Sequence, residues 1–576
     1  MSLLRNAGRG AAPAVEMMPQ PDIRMLVPMR DGVRLDTYVW LPAGGVPAPA
    51  IMWRTPYREE VLGWARLGLM RYVEEGYAFV CQLIRGTGES EGEFQFSSPY
   101  ERSDGYDAVE WIAAQPWCDS KVGMDGGSYV GLTQYLAASA RPPHLKCMIP
   151  HVTAADYFQE IPYYGGCFSR LHTLNWLNLI SARSPADLTG GFISAMPILS
   201  QADWLRRLTM RPVKDAADDL LEGDKLAHYR DSLDHPTFDH WWKAKTMSAA
   251  DYAAMDLPTL IVTGNFDWSI GTMTAWNGLM AHAGDRDDRQ LLIGPWDHGQ
   301  VFLGGGDRYG PFDLDADLGA DPFPIRLAFF DRHLKGKGDG PDLGGKAKVY
   351  ITGRNEYRSF SAFPPREARR LDLFLSSGGN ANGERGDGRL VASQGQGPAD
   401  RMQADPDTPF IPTLADAMGR FLDLTEHARH IDTLVYATEP FEEKLTIVGE
   451  AELVLHVAVD APDADIAAYL AEIRPDGTIA QLAQHALRLR YREGFDREVL
   501  LTPGVKVEAR LKLTLVCHEL APGQRLALLL RPDMFPLIDP NPNTGEPIAT
   551  AVGMRKAMLS IFHDAGSPSR LELPVL

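Results

Sequence analysis

The hydrophobic rhythm of this sequence changes once, and that change calls for two domains of different class. Up to about residue 334, short apolar runs alternate with stretches of helical periodicity. After the glycine-rich segment Lys335-Gly336-Lys337-Gly338-Asp339-Gly340, strand-like runs follow one another, separated by Gly, Pro and Asp clusters. The apolar runs at 50–53, 78–81, 122–124, 146–149, 259–263 and 290–293 read as buried strands, with helical text at 104–114 and 130–140 between them. Alternation of that kind builds a mostly parallel sheet of the α/β class. An antiparallel hairpin, turning at Arg30-Asp31-Gly32, opens the chain over residues 24–41. The runs at 349–352, 371–376, 452–459, 507–515 and 526–530 predict an all-β sandwich or jelly roll.

Residues 156–247 interrupt the first rhythm with helical patterns carrying Trp176, Trp204, Trp241 and Trp242 and with no clear strand. They read as a helical cap inserted into the sheet domain. The expected organisation is an α/β core over 1–155 and 248–340, the cap over 156–247 and a jelly roll over 341–576. A chain of 576 residues needs such division, because single cores stop growing at roughly 250–300 residues.

Charge narrows the partners. Acidic residues outnumber basic ones, 76 to 57, for a net charge of −19, which disfavours nucleic acid and anionic membrane as partners. The five cysteines are scattered, with no C-x-x-C pair to suggest a disulfide framework or zinc site. No apolar run reaches the ~20 residues of a membrane-spanning helix, and the N-terminus lacks a signal-peptide core of roughly 7–15 apolar residues. A soluble cytoplasmic protein acting on a small molecule is the expectation, and a homo-oligomer is compatible with it.

The strongest local signal is Lys121-Val-Gly-Met-Asp-Gly-Gly-Ser-Tyr-Val-Gly131, a short strand running into a glycine-flanked serine and then a helix. This is the grammar of a nucleophile elbow: glycine permits a sharp turn, Ser128 takes the strained apex, and the helix N-terminus faces the reacting oxygen. Val130 stands where the commoner G-x-S-x-G spacing has its second glycine. A serine nucleophile needs a base and an orienting carboxylate, in the chain order Ser, Asp, His for this architecture. Asp267 follows the strand in Pro258-Thr-Leu-Ile-Val-Thr-Gly-Asn-Phe-Asp267, and His298 follows the one in Gln290-Leu-Leu-Ile-Gly-Pro-Trp-Asp-His298. Both fall where carboxyl-end loops of a parallel sheet converge. His240, His282 and His333 lie in helical text, and Asp297 adjoins His298 too closely to orient it. One oxyanion donor is the Tyr129 backbone N–H. Tyr57, in Trp53-Arg-Thr-Pro-Tyr57, reads either as the second donor or as a packing tyrosine.

A metal reading is available at Asp313-x-Asp315-x-Asp317. It fails as a calcium loop, since glycine falls at the seventh position and Pro324 at the twelfth, where a bidentate Glu is needed. The serine mechanism requires no metal or organic cofactor.

Taken in order, Val-Pro-Met-Arg-Asp-Gly-Val-Arg-Leu, Thr-Pro-Tyr57, Arg85-Gly-Thr-Gly-Glu-Ser-Glu-Gly92, Gly-Gly-Ser128-Tyr, Gly-Asn-Phe-Asp267, Gly-Pro-Trp-Asp-His298 and Phe-Asp-Arg-His-Leu-Lys-Gly336 span nearly the whole chain. This set resembles the family of cocaine esterase, α-amino acid ester hydrolases, glutaryl cephalosporin acylases and X-Pro dipeptidyl-peptidases. The resemblance implies an α/β-hydrolase core, a helical cap inserted after the sixth strand, a C-terminal jelly roll that helps enclose the site, and Tyr57 as an oxyanion donor. Two departures stand out. Leu83 occupies the position, two residues before Arg85-Gly86, where members commonly carry Asp. Trp268-Ser269-Ile270 follows Asp267 where members that select an α-ammonium place acidic residues.

The expected function is hydrolysis of carboxylic esters with a small or medium, including aromatic, acyl group through Ser128, Asp267 and His298, with Trp268 against the substrate. An amidase or X-Pro dipeptidyl-peptidase would use the same triad. A carbohydrate-binding or scaffold protein with an inert core is the reading from another class.

Overall fold

Ten strands of the alternating region, and a little beyond it, join in one twisted sheet. The structure is a computed structural model and describes residues 20–44, 47–57, 66–181, 201–411 and 423–576. The stretch read for a leader, residues 1–19, lies outside the described residues, as does part of the cap, 182–200. The strands are β1 (Ile23–Pro28), β2 (Arg34–Trp40), β3 (Ala48–Thr55), β4 (Ala78–Leu83), β5 (Cys118–Gly127), β6 (Leu145–His151), β7 (Thr259–Gly264), β8 (Arg289–Gly294), β9 (Ala347–Ile351) and β10 (Glu356–Phe360). Their spatial order is β1-β2-β4-β3-β5-β6-β7-β8-β9-β10. From β4 to β9 every neighbouring pair is parallel. Strands β3, β4 and β7 are buried along their whole length, which explains why they read as continuous apolar runs rather than alternating ones.

The sheet therefore does not stop at Gly340. Strand β9 pairs in parallel with β8, and β10 closes the edge antiparallel to β9. The run at 349–352, read as the first strand of the second domain, belongs by hydrogen bonding to the first. An apolar pentapeptide looks the same in a parallel sheet and in a sandwich, so local pattern does not separate the two.

Helices α1 (Glu101–Ala113) and α2 (Tyr129–Ser139) cover the sheet near its centre. Between β6 and β7 the chain leaves the sheet to form the cap, whose longer helices are α3 (Arg170–Ser181) and α4 (Gly223–Asp234). The cap also holds a small hairpin, Tyr163–Tyr164 with Cys167–Phe168, where none was expected. Two-residue strands around Gly165-Gly166 are too short to leave a period. Further helices are α5 (Gly271–Gly278) after β7, and α6 (Phe323–Phe330) before the glycine-rich segment.

From Arg369 to Val575 the described residues form a jelly roll of eleven hydrogen-bonded strands, its longest pairing joining Leu445–Val459 to Val507–Leu520. Its apolar core is not closed to the first domain. Phe266, Phe312, Leu314 and Tyr350, all from the hydrolase side, pack into it. Thr352 bridges to His518 across the boundary, with Thr352 N–H donating to Cys517 O at 3.0 Å and Glu519 N–H to Thr352 O at 2.9 Å.

Candidate active site

Strand β5 delivers Ser128 to the carboxyl end of the sheet, and the turn into α2 is strained as the glycines anticipate. Ser128 has φ 58° and ψ −125°, a combination that costs a non-glycine residue roughly 1–3 kcal/mol and persists only where surroundings enforce it. The enforcement is visible. Ser128 N–H donates to His151 O at 2.9 Å, and the Thr153 hydroxyl donates to Ser128 O at 3.1 Å, so the end of β6 and the loop after it grip both sides of the apex. Gly126 has φ +122°, and a Cβ there would lie 2.3 Å from Val130 Cγ1. This accounts for the departure from G-x-S-x-G. Val130 occupies the space beside Gly126, and Gly131, one position later, is the close-approach glycine of the helix, where a Cβ would meet Thr153 at 2.6 Å.

Beneath the elbow lies a buried network that the sequence did not disclose. His151 Nε2 lies 2.7 Å from Asp125 Oδ1, while the Tyr72 hydroxyl (3.1 Å) and Arg326 (3.5 Å) reach Asp125 Oδ2. Burial pushes the Asp125 carboxyl up, but the surrounding His151, Arg326 and Tyr72 hold it below its ordinary value. These contacts tie β5, β6, α6 and the helix before β4 under the serine.

Asp267 and His298 come from two loops zipped to each other. Asn265 N–H donates to Gly294 O at 2.9 Å and Phe266 N–H to Trp296 O at 3.0 Å, extending the β7–β8 pairing past the strand ends. A Cβ on Gly264 would lie 1.9 Å from Trp296 O, so only glycine admits this approach. At the end of the zipper His298 Nδ1 lies 3.0 Å from Asp267 Oδ1. The other oxygen, Oδ2, is sealed from solvent with no hydrogen-bond partner. Asp297 faces elsewhere, its carboxylate accepting the Gly299 and Gln300 N–H groups at 2.9 and 2.7 Å. Burial pushes the His298 imidazole down, but the charge and hydrogen bond of Asp267, with a contribution from Asp297, more than reverse this and raise its pKa above the ordinary 6.5.

Tyr57, in the loop just after β3, shares a hydrogen bond with the Ser128 side chain. Its oxygen accepts the indole N–H of Trp176 at 3.0 Å, so the phenol presents its own O–H as donor toward the serine. Burial raises its pKa, which keeps it a phenol. The Tyr129 N–H begins the first turn of α2, among the N–H groups without an intrahelical acceptor. The Tyr129 ring stacks on Trp176 at 5.8 Å, and its hydroxyl donates to Glu101 at 3.1 Å. Trp268 lies 5.7 Å from the His298 ring and 4.8 Å from that of His172.

Of the four cap tryptophans, Trp176 reaches this cluster, while Trp204 and Trp242 are buried in the apolar core that the cap shares with the sheet domain. His172, one turn before Trp176 on α3, was not foreseen; the pairing of two ring-bearing residues at i and i+4 was the available signal. Arg85 finds its carboxylates elsewhere than at position 83. It donates to both oxygens of Asp104, at 2.7 and 2.6 Å, and to Asp31 at 2.7 Å. Asp315 spends its carboxylate on the N–H groups of Asp317 and Leu318, and among the described residues no group of three or more His, Cys, Asp or Glu is arranged to hold a metal. Among them, too, no helix is long and apolar enough to cross a membrane.

Residues 31–300 match the X-Pro dipeptidyl-peptidase (S15 family), and residues 342–572 the X-Pro dipeptidyl-peptidase C-terminal non-catalytic domain. Cocaine esterase of Rhodococcus sp. (strain MB1 Bresler) is 30% identical, over 96% of this chain and 98% of its own. The chain belongs to the cocaine esterase and X-Pro dipeptidyl-peptidase family. Two solved structures of similar fold extend the likeness. An α-amino acid ester hydrolase superimposes with a TM-score of 0.83 at 25% identity, over 99% of this chain and 100% of that one. An aminopeptidase from a marine sediment archaeon, Thaumarchaeota archaeon, superimposes with a TM-score of 0.84 at 24% identity, over 98% of both chains, and supports the fold alone. Membership makes this chain a serine hydrolase of the ester-cleaving class, built as an α/β-hydrolase core with a C-terminal jelly roll.

Proposed function

We propose that the enzyme hydrolyses carboxylic esters of small or medium, including aromatic, acyl groups through an acyl-enzyme on Ser128. His298 removes the hydroxyl proton as Ser128 Oγ attacks the carbonyl carbon, and Asp267 holds the imidazole tautomer with its proton on Nδ1. Charge on the carbonyl oxygen meets the Tyr57 O–H and the Tyr129 N–H. His298 then returns the proton to the departing alcohol, and in the second half it activates water to release the acid. Every proton is carried by a side chain or by water.

The observation that carries this reading is the shared position of Tyr57 and Ser128: a phenol, aligned by Trp176, hydrogen-bonded to a serine held in a strained elbow. A packing tyrosine has no need of that alignment. Treatment with a serine-directed fluorophosphonate, followed by peptide mapping, should label Ser128. Ser128→Ala should lose labelling and lower p-nitrophenyl ester turnover roughly 10⁴-fold or more while keeping its melting transition. Labelling at a different serine overturns the assignment.

Preference for a substrate without an α-ammonium is supported by Glu160. This carboxylate lies near the Asp267 loop, where an ammonium acceptor would be useful, but it is buried. It accepts from the Ser269 hydroxyl at 2.7 Å and from the Ala155 and Asp156 N–H groups at 3.1 and 3.3 Å. Burial pushes its pKa up to about 8 against these hydrogen bonds. A group so enclosed braces the loop that carries Asp267. Matched p-nitrophenyl ester and p-nitroanilide substrates, with and without a free α-amino group, test ester against amide cleavage.

A further inference from the structure

One face of α3 reaches both halves of the proposed catalytic set. Trp176 meets the oxyanion half through Tyr57 and Tyr129. One turn earlier, His172 meets the base half: its ring lies 4.8 Å from Trp268, which in turn lies 5.7 Å from His298, and it feels the His298 charge directly. Among the described residues neither ring nitrogen of His172 has a hydrogen-bond partner. Burial, reinforced by His298, pushes its pKa down to about 4, so at neutral pH it is an uncharged imidazole with one donor and one acceptor. Neither nitrogen is among the side-chain atoms sealed from solvent, so both stay open to a complementary polar atom that enters the site.

The chemistry fixes which part of a substrate passes this point. His298 must hand its proton to the leaving oxygen, so side chains beside His298 flank the alcohol half of the ester and not the acyl half. Resting on the ester-hydrolase reading above, we propose that His172 is a specificity-determining residue that hydrogen-bonds an uncharged polar atom, an ether, hydroxyl or carbonyl oxygen, on the alcohol portion of the ester. Trp268, its ring tilted against those of both His172 and His298, forms the apolar floor on which that alcohol lies.

The test uses two esters of one acyl group, the butyl and the 2-methoxyethyl, which differ by one methylene against one ether oxygen. The acyl group is the one best turned over in a p-nitrophenyl ester panel. His172→Phe keeps a ring against Trp268 but removes both nitrogens. It should lower kcat/KM for the methoxyethyl ester roughly tenfold while leaving the butyl ester within about threefold. His172→Gln should recover part of the difference. Deacylation, measured on the p-nitrophenyl ester after the burst, should be unchanged, because the alcohol has already left. Equal losses on both esters, no loss on either, or a slowed deacylation would overturn the proposal. Fluorophosphonate labelling of Ser128 in each variant reports separately on the triad: if the parent enzyme itself is not labelled there, it is the underlying serine reading that fails.

Discussion

The two halves of the proposed catalytic centre are built in different ways. The nucleophile half is local: β5, the turn and α2 are one continuous segment, and the strain at Ser128 is held by contacts within the hydrolase core. The base half is assembled from a distance. Asp267 and His298 stand 31 residues apart on separate loops. The Asp267 loop is steadied by Glu160 from the start of the cap, by the end of β9 and by a jelly-roll strand. A local elbow can be inherited as a motif, whereas a base assembled from three regions needs the whole chain. The C-terminal domain, whose family is described as non-catalytic, is thus coupled to the loop that carries the proposed catalytic carboxylate.

The largest expected effect tests the base half at its centre. Asp267→Asn should lower kcat roughly 10⁴-fold, since the imidazole loses both its tautomer and its counter-charge. The pH profile gives an independent sign. As a base, His298 works only when neutral, so the rate falls as pH drops through its pKa, which Asp267 raises above 6.5. Without that charge, burial dominates and the acid limb of kcat/KM should move to lower pH. An acid limb that stays in place would detach Asp267 from His298.

On the nucleophile side, Tyr57→Phe should cost roughly 10²–10³ in kcat with KM little changed, measured by steady-state ester hydrolysis. An unchanged kcat would return Tyr57 to the role of packing residue. Gly126→Ala probes the elbow itself. The added methyl would need to share space with Val130 at a backbone angle that L-residues avoid, so a loss of about 2–3 kcal/mol in stability is expected. Thermal unfolding compared with residual Ser128 labelling tells whether strain or fold was lost.

This contrast also explains what could be read from the sequence. Ser128 announced itself through neighbours one to three positions away, and the α/β rhythm and the jelly roll through short periodicities. Asp267 and His298 were legible only through chain order and strand ends. Nothing in the text of β6 indicated that His151 would lie against Asp125, because that pairing is made by adjacent parallel strands more than twenty residues apart in sequence. The extension of the sheet through β9 and β10 was hidden for a related reason: strand partners are tertiary facts. His172 showed no signal in isolation, since a histidine on a cap helix acquires meaning only when the cap folds over Trp268.

The smallest expected effect bounds how much the jelly roll contributes to the base half. Asn265, two residues before Asp267, donates its side-chain amide to Tyr350 O at 2.7 Å and to Cys517 O at 3.4 Å, the first on β9 and the second in the jelly roll. Phe266 beside it stacks on Tyr309 at 4.4 Å and packs into the jelly-roll core, so the residue adjoining Asp267 is anchored in the other domain. Asn265→Ala removes the amide and keeps the phenylalanine. A loss of about 1–2 kcal/mol in stability is expected, with kcat down a few-fold and the acid limb of the pH profile unmoved, because the Asp267–His298 contact survives while its placement loosens. If kcat holds and only the melting temperature falls, the second domain supports the fold without tuning the base. If kcat falls as far as in Asp267→Asn, the two halves differ more sharply still, and the placement of the carboxylate depends chiefly on contacts beyond the hydrolase loops.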